Sequence, residues 1–271
     1  MKYIFELSKE HLTLPREEIK SALKAMNVKF EKIESNQDIF LMKTDKKIKR
    51  IQQLIQRIAF TYQINQYLFS LPIKNVDQIE KISKNKPIEE KGSIAVKYRN
   101  RSKNKHISKK IVKKIASEYT KNKTVSLEKP EIEIRALITD KKLYVGKKIA
   151  DIDRKQYEKR KVQHRPFFLP ISLHPKVARA LVNLSQVKKN ETLLDPFCGT
   201  GGILIEAGLI GIKVIGSDIK QKMTEGCKKN LEYYSIKRYD IFCCDIGDIT
   251  KNVDKVDGIV TDLPYGKSTT T

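Results

Sequence analysis

Alternation of hydrophobic and polar residues divides the first part of the chain into short strands and amphipathic helices. The segment KYIFEL alternates as a half-buried strand does. Pro15 suits the first turn of a helix, and apolar residues then recur at helical spacing at Ile19, Ala22, Leu23 and Met26. The runs VKFEKIE and QDIFLMKT predict a hairpin. Residues 1–50 are therefore predicted to form a small β-α-β-β unit.

Residues 51–150 are predicted to form a second small α+β domain. An amphipathic helix over 48–58 leads into it, followed by the strand SIAVKYRN and the helix HISKKIVKKIASEYT. After Pro130, alternating residues on both sides of TDKK predict a hairpin. Residues 151–174 are polar and then interrupted by prolines, which favours a linker.

Residues 175–271 alternate between helix and strand patterns, which favours a parallel sheet of the Rossmann-like kind. An amphipathic helix begins at Pro175, and TLLD, KVIGSD, YDIFCCD and GIVTD are the four predicted strands. Each of the four runs contains or ends in an aspartate.

The charge balance favours a polyanionic partner. Lys and Arg number 55 against 32 Asp and Glu, a formal net charge of +23. Residues 84–123 alone hold 14 of the cations and only three glutamates. A lysine-rich solvated surface is the alternative, but cations that continue through a strand end and a loop favour phosphate contact. The predicted RNA-binding residues are Lys97, Arg99, Arg101, Lys103, Lys105, Lys109, Lys110 and Lys113.

Other residue patterns exclude several classes of protein. The sequence has no apolar run of the roughly 20 residues that a membrane-spanning helix needs and no signal-peptide pattern. The four cysteines (Cys198, Cys227, Cys243 and Cys244) form no CxxC pair and lie near no histidine cluster. We therefore expect no disulfide framework, no metal site and no membrane partner, and a reducing, cytoplasmic location.

The run TLLD-PFC-GTGG predicts a nucleoside-cofactor site. Asp195 ends the strand, the glycines allow a tight turn close to a ligand, and Asp218 ends the next strand where it suits ribose hydroxyls. A dinucleotide would need a third glycine where Leu204 stands, and Asp195 would repel its pyrophosphate. S-adenosylmethionine carries a cationic amino group instead, which favours it. A purely structural glycine turn is the remaining alternative.

Two more strand ends extend this prediction. Asp245 could accept a hydrogen bond from an adenine amino group, or it could merely cap a turn. The strand GIVTD ends at Asp262 and runs into Leu263, Pro264 and Tyr265. A plain strand-ending turn is the alternative for this last run.

The motifs DPFCGTGG, SD, CD and DLPYG together resemble those of the amino-methyltransferases, with Leu263 where a first proline is usual. Preceded by HRPFFLPISLHPKVARALVNLS and two small domains, the chain resembles the THUMP-containing RNA guanine-N2 methyltransferases, in particular the archaeal enzymes that act on guanine 10 of tRNA. The resemblance implies a ferredoxin-like unit over 1–50, a THUMP-like domain over 51–150 and a class I methyltransferase domain over 175–271. The implied fold class is α/β and α+β, multidomain.

The resemblance also implies a site. The cofactor is S-adenosylmethionine and the macromolecular partner is tRNA. Asp262, Leu263, Pro264 and Tyr265 are the implied catalytic residues. The implied cofactor-binding residues are Asp195, Phe197, Gly199, Thr200, Gly201, Gly202, Asp218, Ile219, Asp245 and Ile246.

The four counted strands fall short of the about seven in a methyltransferase sheet of this class, so the domain is expected to be incomplete. We expect a fragment, or a second polypeptide that supplies the remaining strands, and low activity without them. The alternatives are an RNA-binding protein with an inactive methyltransferase half, and a methyltransferase of another tRNA or rRNA guanine.

Overall fold

The computed structural model describes residues 1–45, 47–170 and 172–263. The chain divides into two compact units. Unit 1 comprises Met1–Lys9, Phe30–Lys47 and Thr61–Asp151; unit 2 comprises Glu10–Lys29, Ile48–Phe60 and the chain from Ile152 onwards. No helix within the described ranges is long and apolar enough to cross a membrane.

The strands and helices follow the predicted order with several additions. The strands are β1 (Lys2–Leu7), β2 (Glu31–Ser35), β3 (Ile39–Lys43), β4 (Thr61–Pro72), β5 (Ile94–Asn100), β6 (Ile132–Ile138), β7 (Lys142–Asp151), β8 (Thr192–Asp195), β9 (Lys213–Asp218), β10 (Tyr239–Cys243) and β11 (Gly258–Ile259). The helices are α1 (Leu14–Ala25), α2 (Ile51–Arg57), α3 (Ile79–Lys84), α4 (Ile107–Tyr119), α5 (Lys155–Lys159), α6 (Pro175–Leu184), α7 (Gly202–Gly208) and α8 (Gln221–Tyr233). Short 3₁₀ turns cover Ile73–Gln78, Val162–His164 and Ile246–Lys251.

Unit 1 is built on one seven-stranded sheet in the order β2-β3-β1-β4-β7-β6-β5. Its core is formed by apolar side chains of β4 to β7 packed against α3 and α4, including Ile79, Ile111 and Ile115. The predicted hairpins are confirmed. Strand β4 was not predicted; it lies between β1 and β7 and joins the strands of residues 1–50 to those of 51–150 in a single sheet. The sheet therefore continues across the predicted domain boundary near residue 50.

Helix α1 forms as predicted but belongs to unit 2 rather than to the strands that flank it in sequence. Its Glu18 is fully buried and accepts hydrogen bonds from the backbone N–H groups of Ala59 (2.8 Å) and Phe60 (2.9 Å). The side-chain amide of Asn183 in α6 also donates to Glu18, at 3.2 Å. A buried acid on the apolar face of α1 thus fixes this helix within unit 2.

The predicted linker over 151–174 contains structured residues of unit 2. It includes α5, whose Tyr157 is fully buried. Arg160 then donates two hydrogen bonds to the two carboxylate oxygens of Glu206 in α7, at 2.7 and 3.0 Å. Arg179 in α6 also pairs with Glu206, at 2.8 Å. Polar composition favoured a linker, but these polar side chains are buried partners for one another.

Unit 2 has a parallel four-stranded sheet in the order β10-β9-β8-β11. The predicted alternation of strands and helices in a Rossmann-like parallel sheet is therefore confirmed. One face carries a large apolar cluster that includes Leu193, Val214 and Val260 of the strands with Ala178 of α6 and Leu204 of α7. The short run TLLD is buried on both faces because helices and a 3₁₀ turn cover the central strand.

The buried Glu206 pair gives a stability prediction. Glu206→Gln leaves Arg160 and Arg179 without their carboxylate, and breaking a buried pair in this way costs about 3–5 kcal/mol of unfolding free energy. Urea denaturation followed by circular dichroism measures the change. Glu225→Gln, at an exposed position of α8, is the matched control and is expected to stay within about 0.5 kcal/mol of wild type. Equal stability of both variants would contradict a structural role for the pair.

Candidate active site

The carboxyl ends of the parallel strands lie at one edge of the unit 2 sheet. In-register pairing places Asp195 of β8 beside Gly216 of β9, and Asp218 of β9 beside Cys243 of β10. Strand β11 pairs with β8, and the backbone N–H of Val260 continues that pairing to the carbonyl of Leu194 at 3.0 Å. Hydrogen bonding between strands therefore brings the predicted acidic residues to one edge.

The turn after β8 requires glycine at two positions. Gly199 has φ +49° and Gly201 has φ +82°, in the left-handed region that side chains disfavour. A Cβ on Gly201 would lie 2.7 Å from Cys227 Sγ, so α8 closes that side of the turn. A Cβ on Gly199 would meet no atom within 4 Å, so the backbone is open there. A ligand can therefore approach the turn closely at Gly199.

Asp195 is the most perturbed acid at this edge. It is only 2% exposed, and one carboxylate oxygen accepts the N–H of Phe197 at 3.2 Å. Burial, with smaller contributions from the charges of Asp262 and Asp218, raises the pKa of Asp195 to about 7, against hydrogen bonds from the side chain of Thr261 and the N–H of Phe197. A positively charged ligand beside Asp195 would favour its ionised form.

Asp218 is fixed by the turn that it faces. One carboxylate oxygen accepts the N–H of Gly199 at 3.1 Å and the other accepts the N–H of Lys220 at 2.9 Å. These two donors orient the carboxylate and leave each oxygen a further lone pair for a hydroxyl group.

The third predicted acid has a local partner. Asp245 is exposed, and its side chain accepts the N–H of Gly247 at 2.8 Å, which caps the 3₁₀ turn. Asp245 therefore caps a turn, as the alternative interpretation had it, and its contact with adenine stays a prediction. Ile219 and Ile246 nearby are 65% and 42% exposed. Two exposed apolar side chains after neighbouring strands provide surface for a flat heterocycle.

Asp262 follows β11, is partly buried, and is close enough to Asp195 for its charge to raise the pKa of Asp195. The neighbouring Leu263 is 61% exposed. Pro264 and Tyr265 lie outside the described residues. Within the described ranges, no group of His, Cys, Asp and Glu side chains could hold a metal ion.

The glycine turn is fixed from behind by Asn230, a residue that the sequence patterns did not single out. Asn230 in α8 is fully buried and donates to the carbonyls of Thr200 (2.8 Å) and Phe167 (2.7 Å). Its side-chain oxygen accepts the N–H of Phe167 at 3.0 Å. A Cβ on Gly226 would lie 1.9 Å from the ring of Phe167, so α8 needs glycine there. The only sequence signal was a polar residue on the buried side of α8.

The predicted RNA-binding cations of unit 1 fall into two groups. Arg101 is 9% exposed and forms ion pairs with Glu6 (3.0 Å) and Asp38 (3.1 Å), which indicates a structural role. Arg99 also pairs with Glu6 at 2.7 Å and lies over the ring of Tyr62. Lys97 pairs with Glu133 at 3.3 Å. These three cations of strand β5 and its end are engaged with unit 1 itself.

The remaining lysines form an exposed group. Ser108, Ile111 and Ile115 bury the inner face of α4, and the lysines of α4 lie on its outer face. Lys110 pairs with the exposed Asp77 at 3.1 Å. The exposed members of the predicted set are Lys103, Lys105, Lys109, Lys110 and Lys113.

Comparisons with known proteins agree with this architecture. The profile of the THUMP domain matches residues 76–147, and the profile of the RMKL-like methyltransferase domain matches residues 162–271. Among solved structures, TrmN from Thermus thermophilus shares the fold, with a TM-score of 0.57 at 16% identity over 98% of this chain and 80% of that one. A methyltransferase, SMU.472, solved with S-adenosylhomocysteine has a TM-score of 0.53 at 14% identity over 100% of this chain and 82% of that one.

One curated relative matches along the whole chain. The tRNA (guanine(10)-N2)-dimethyltransferase of Methanothermobacter thermautotrophicus is 35% identical over 272 aligned positions, which cover all of this chain and 80% of that protein. With its THUMP domain, its methyltransferase domain and this full-length similarity, the chain belongs to the THUMP-containing tRNA guanine-N2 methyltransferase family.

Proposed function

We propose that this protein methylates the exocyclic N2 amine of a guanosine in tRNA, at position 10 as its relative's name indicates, with S-adenosylmethionine as the methyl donor. The observation that carries the proposal is the strand edge at which Asp195, Asp218 and Asp262 come together around an open glycine turn. Among the described residues, these three acids form no group that could hold a metal ion. Their negative charges suit an organic cation.

The residues at this edge fit the proposed cofactor. Asp195 would bind the cationic amino group, because the pKa of this buried acid is raised and a cation would restore its charge. Asp218, held by the N–H groups of Gly199 and Lys220, would accept the ribose hydroxyls. Ile219 and Ile246 would enclose the adenine ring, and Asp245 would contact its amino group. Bound S-adenosylmethionine supplies an electrophilic methyl group.

Asp262 would act on the amine of the substrate. The N2 lone pair of guanine is delocalised into the ring, so hydrogen-bond acceptors directed at its two N–H bonds increase its nucleophilic character. Asp262 would provide one acceptor and the carbonyl of Leu263 or Pro264 the other. Tyr265 would stack on the base, a contact worth roughly 1–3 kcal/mol. When the nitrogen gains its methyl group, the released proton passes to Asp262.

Unit 1 would bind the RNA. Arg101 is excluded from this role by its burial in ion pairs, whereas the exposed lysines of α4 and of the preceding loop can reach phosphates. The target base must leave its stack before it reaches the methyl-transfer site, at a cost of a few kcal/mol that such phosphate contacts help to offset. The proposed tRNA surface is therefore the outer face of α4 with the loop before it.

Cofactor binding should depend on pH through Asp195. Its carboxylate ionises only above a pKa of about 7, and a cationic ligand binds the ionised form, so affinity should fall as pH falls. For S-adenosylhomocysteine, which carries the same amino group, calorimetric titration should show about eightfold weaker binding at about pH 6 than at about pH 7.5. Asp195→Asn should bind weakly at both pH values. The same pH dependence in Asp195→Asn as in wild type would contradict the assignment.

Asp262→Asn should abolish most of the methyl transfer. Loss of a positioned proton acceptor lowers kcat by about 10²- to 10⁴-fold. Transfer of labelled methyl groups to unmodified tRNA measures kcat, and filter binding measures tRNA affinity, which should change little. Asp240→Asn is the control, because Asp240 is the second residue of β10, near the amino end of that strand, and pairs with Lys213 at 2.8 Å. A parallel loss of tRNA affinity in Asp262→Asn would assign this residue to RNA binding instead.

The exposed lysines of α4 should set the salt dependence of tRNA binding. Replacing Lys109 and Lys113 together by Ala should reduce the slope of log affinity against log salt by about 2, since each phosphate contact contributes about 0.9. The double variant Lys228→Ala with Lys229→Ala, on exposed positions of α8 in unit 2, is the matched control. Identical slopes for the α4 variant and wild type would remove α4 from the interface.

A further inference from the structure

Thr261 lies between the two acids that have separate roles in the proposed reaction. Strand β11 pairs in parallel with β8, and the N–H of Val260 donates to the carbonyl of Leu194 at 3.0 Å. The chain after β11 therefore runs beside β8 up to the level of Asp195. Thr261 follows directly and is itself followed by Asp262.

The hydroxyl group of Thr261 is buried beside the carboxylate of Asp195. Apart from this carboxylate, its Oγ has no hydrogen-bond partner among residues 1–45, 47–170 and 172–263. A buried hydroxyl that lacks an acceptor is costly, and a carboxylate is a strong acceptor. The position of the hydroxyl therefore matches a hydrogen bond to Asp195.

The other titratable groups around Asp195 oppose its ionisation. In addition to burial, which is the largest cause, the negative charges of Asp262 and Asp218 raise the pKa of Asp195. The pKa of the Cys198 thiol in the turn is also raised, by its contact with Cys227, by burial and by the charge of Asp195. Only hydrogen-bond donors or a bound cation can favour the ionised form of Asp195 against these effects.

Two donors act in this direction. The hydroxyl of Thr261 and the N–H of Phe197, at 3.2 Å, both lower the pKa of Asp195. The N–H belongs to the main chain, whereas the hydroxyl depends on the residue at position 261. A hydrogen bond to an ionised carboxylate is roughly twice as strong as one between neutral groups. A cationic ligand that ionises Asp195 would therefore strengthen its link to Thr261.

We propose that Thr261 is a positioning residue whose hydroxyl donates to Asp195, favours the charged form that binds the methyl donor, and holds the backbone that carries Asp262. Binding of the methyl donor would thereby fix the acceptor for the amine proton. This inference rests on the proposed function, because it uses the roles assigned there to Asp195 and Asp262.

The first test is the pH dependence of S-adenosylhomocysteine binding, measured by calorimetric titration of the full chain. Thr261→Val removes the hydroxyl and keeps the shape of the side chain. The ionisation of Asp195 should then move to about one pH unit higher, so the variant should bind about tenfold more weakly than wild type at about pH 6. At about pH 9 Asp195 is ionised in both proteins, and their affinities should agree within about twofold.

Two further variants separate the hydroxyl from the fold. Thr261→Ser keeps the hydroxyl and should follow wild type at both pH values. Thr192→Val, the same substitution at the start of β8, is the matched control and should also bind as wild type does. If Thr261→Val fails to fold, Thr261→Ala takes its place, because it removes the hydroxyl and adds no atoms.

The second test is methyl transfer to unmodified tRNA at saturating S-adenosylmethionine. Thr261→Val should lower kcat by about tenfold or more, because Asp262 is less well positioned, and should leave the KM for tRNA unchanged. Thr261→Ser should restore kcat.

The outcomes distinguish this inference from the proposed function. An affinity loss of the same size at both pH values, or no loss at either, would overturn the role of the hydroxyl. An unchanged kcat in Thr261→Val would overturn its link to Asp262. Wild-type protein that binds no S-adenosylhomocysteine at either pH would instead overturn the proposed cofactor.

Discussion

The proposed site depends on Asp195, a buried carboxylate that forms no ion pair with a cation among the residues that the structure describes. Asp195 ends an inner strand of the unit 2 sheet, where it is only 2% exposed and two further acids lie at the same edge. Burial therefore raises its pKa to about 7. Proteins retain such costly groups at functional sites, where a ligand supplies the missing charge. The backbone at Gly199 is open, so the ligand that we propose could lie against the turn there.

Buried polar contacts within unit 2 hold the glycine turn and the helix that follows it. Asn230 binds both the turn and the segment at Phe167, and Glu206 joins α7 to Arg160 and Arg179. Helix α1 is attached to the same unit through Glu18. The helix that follows the glycine turn is thus held by ion pairs as well as by apolar packing.

Local sequence was sufficient to predict the strand–turn–helix unit at Asp195, the strand end at Asp218 and most strands of unit 1. Each of these depends on residues that are neighbours in sequence, so periodicity and glycine placement reveal them. Strand β4 was missed because its partners come from distant segments. Glu18 and Asn230 were missed because polar residues on helices usually face solvent. Arg101 was predicted to bind RNA because the sequence shows its charge. The sequence does not show its ion pairs with Glu6 and Asp38.

The central claim is that a cationic ligand completes the charge of Asp195. The pKa of its side chain can be measured directly from the ¹³C carboxyl resonance in an NMR titration of labelled protein, with Asp195→Asn to assign the signal. The account predicts a pKa of about 7 without ligand and a value well below that with S-adenosylhomocysteine bound. An Asp195 pKa that is the same with and without saturating ligand would contradict it.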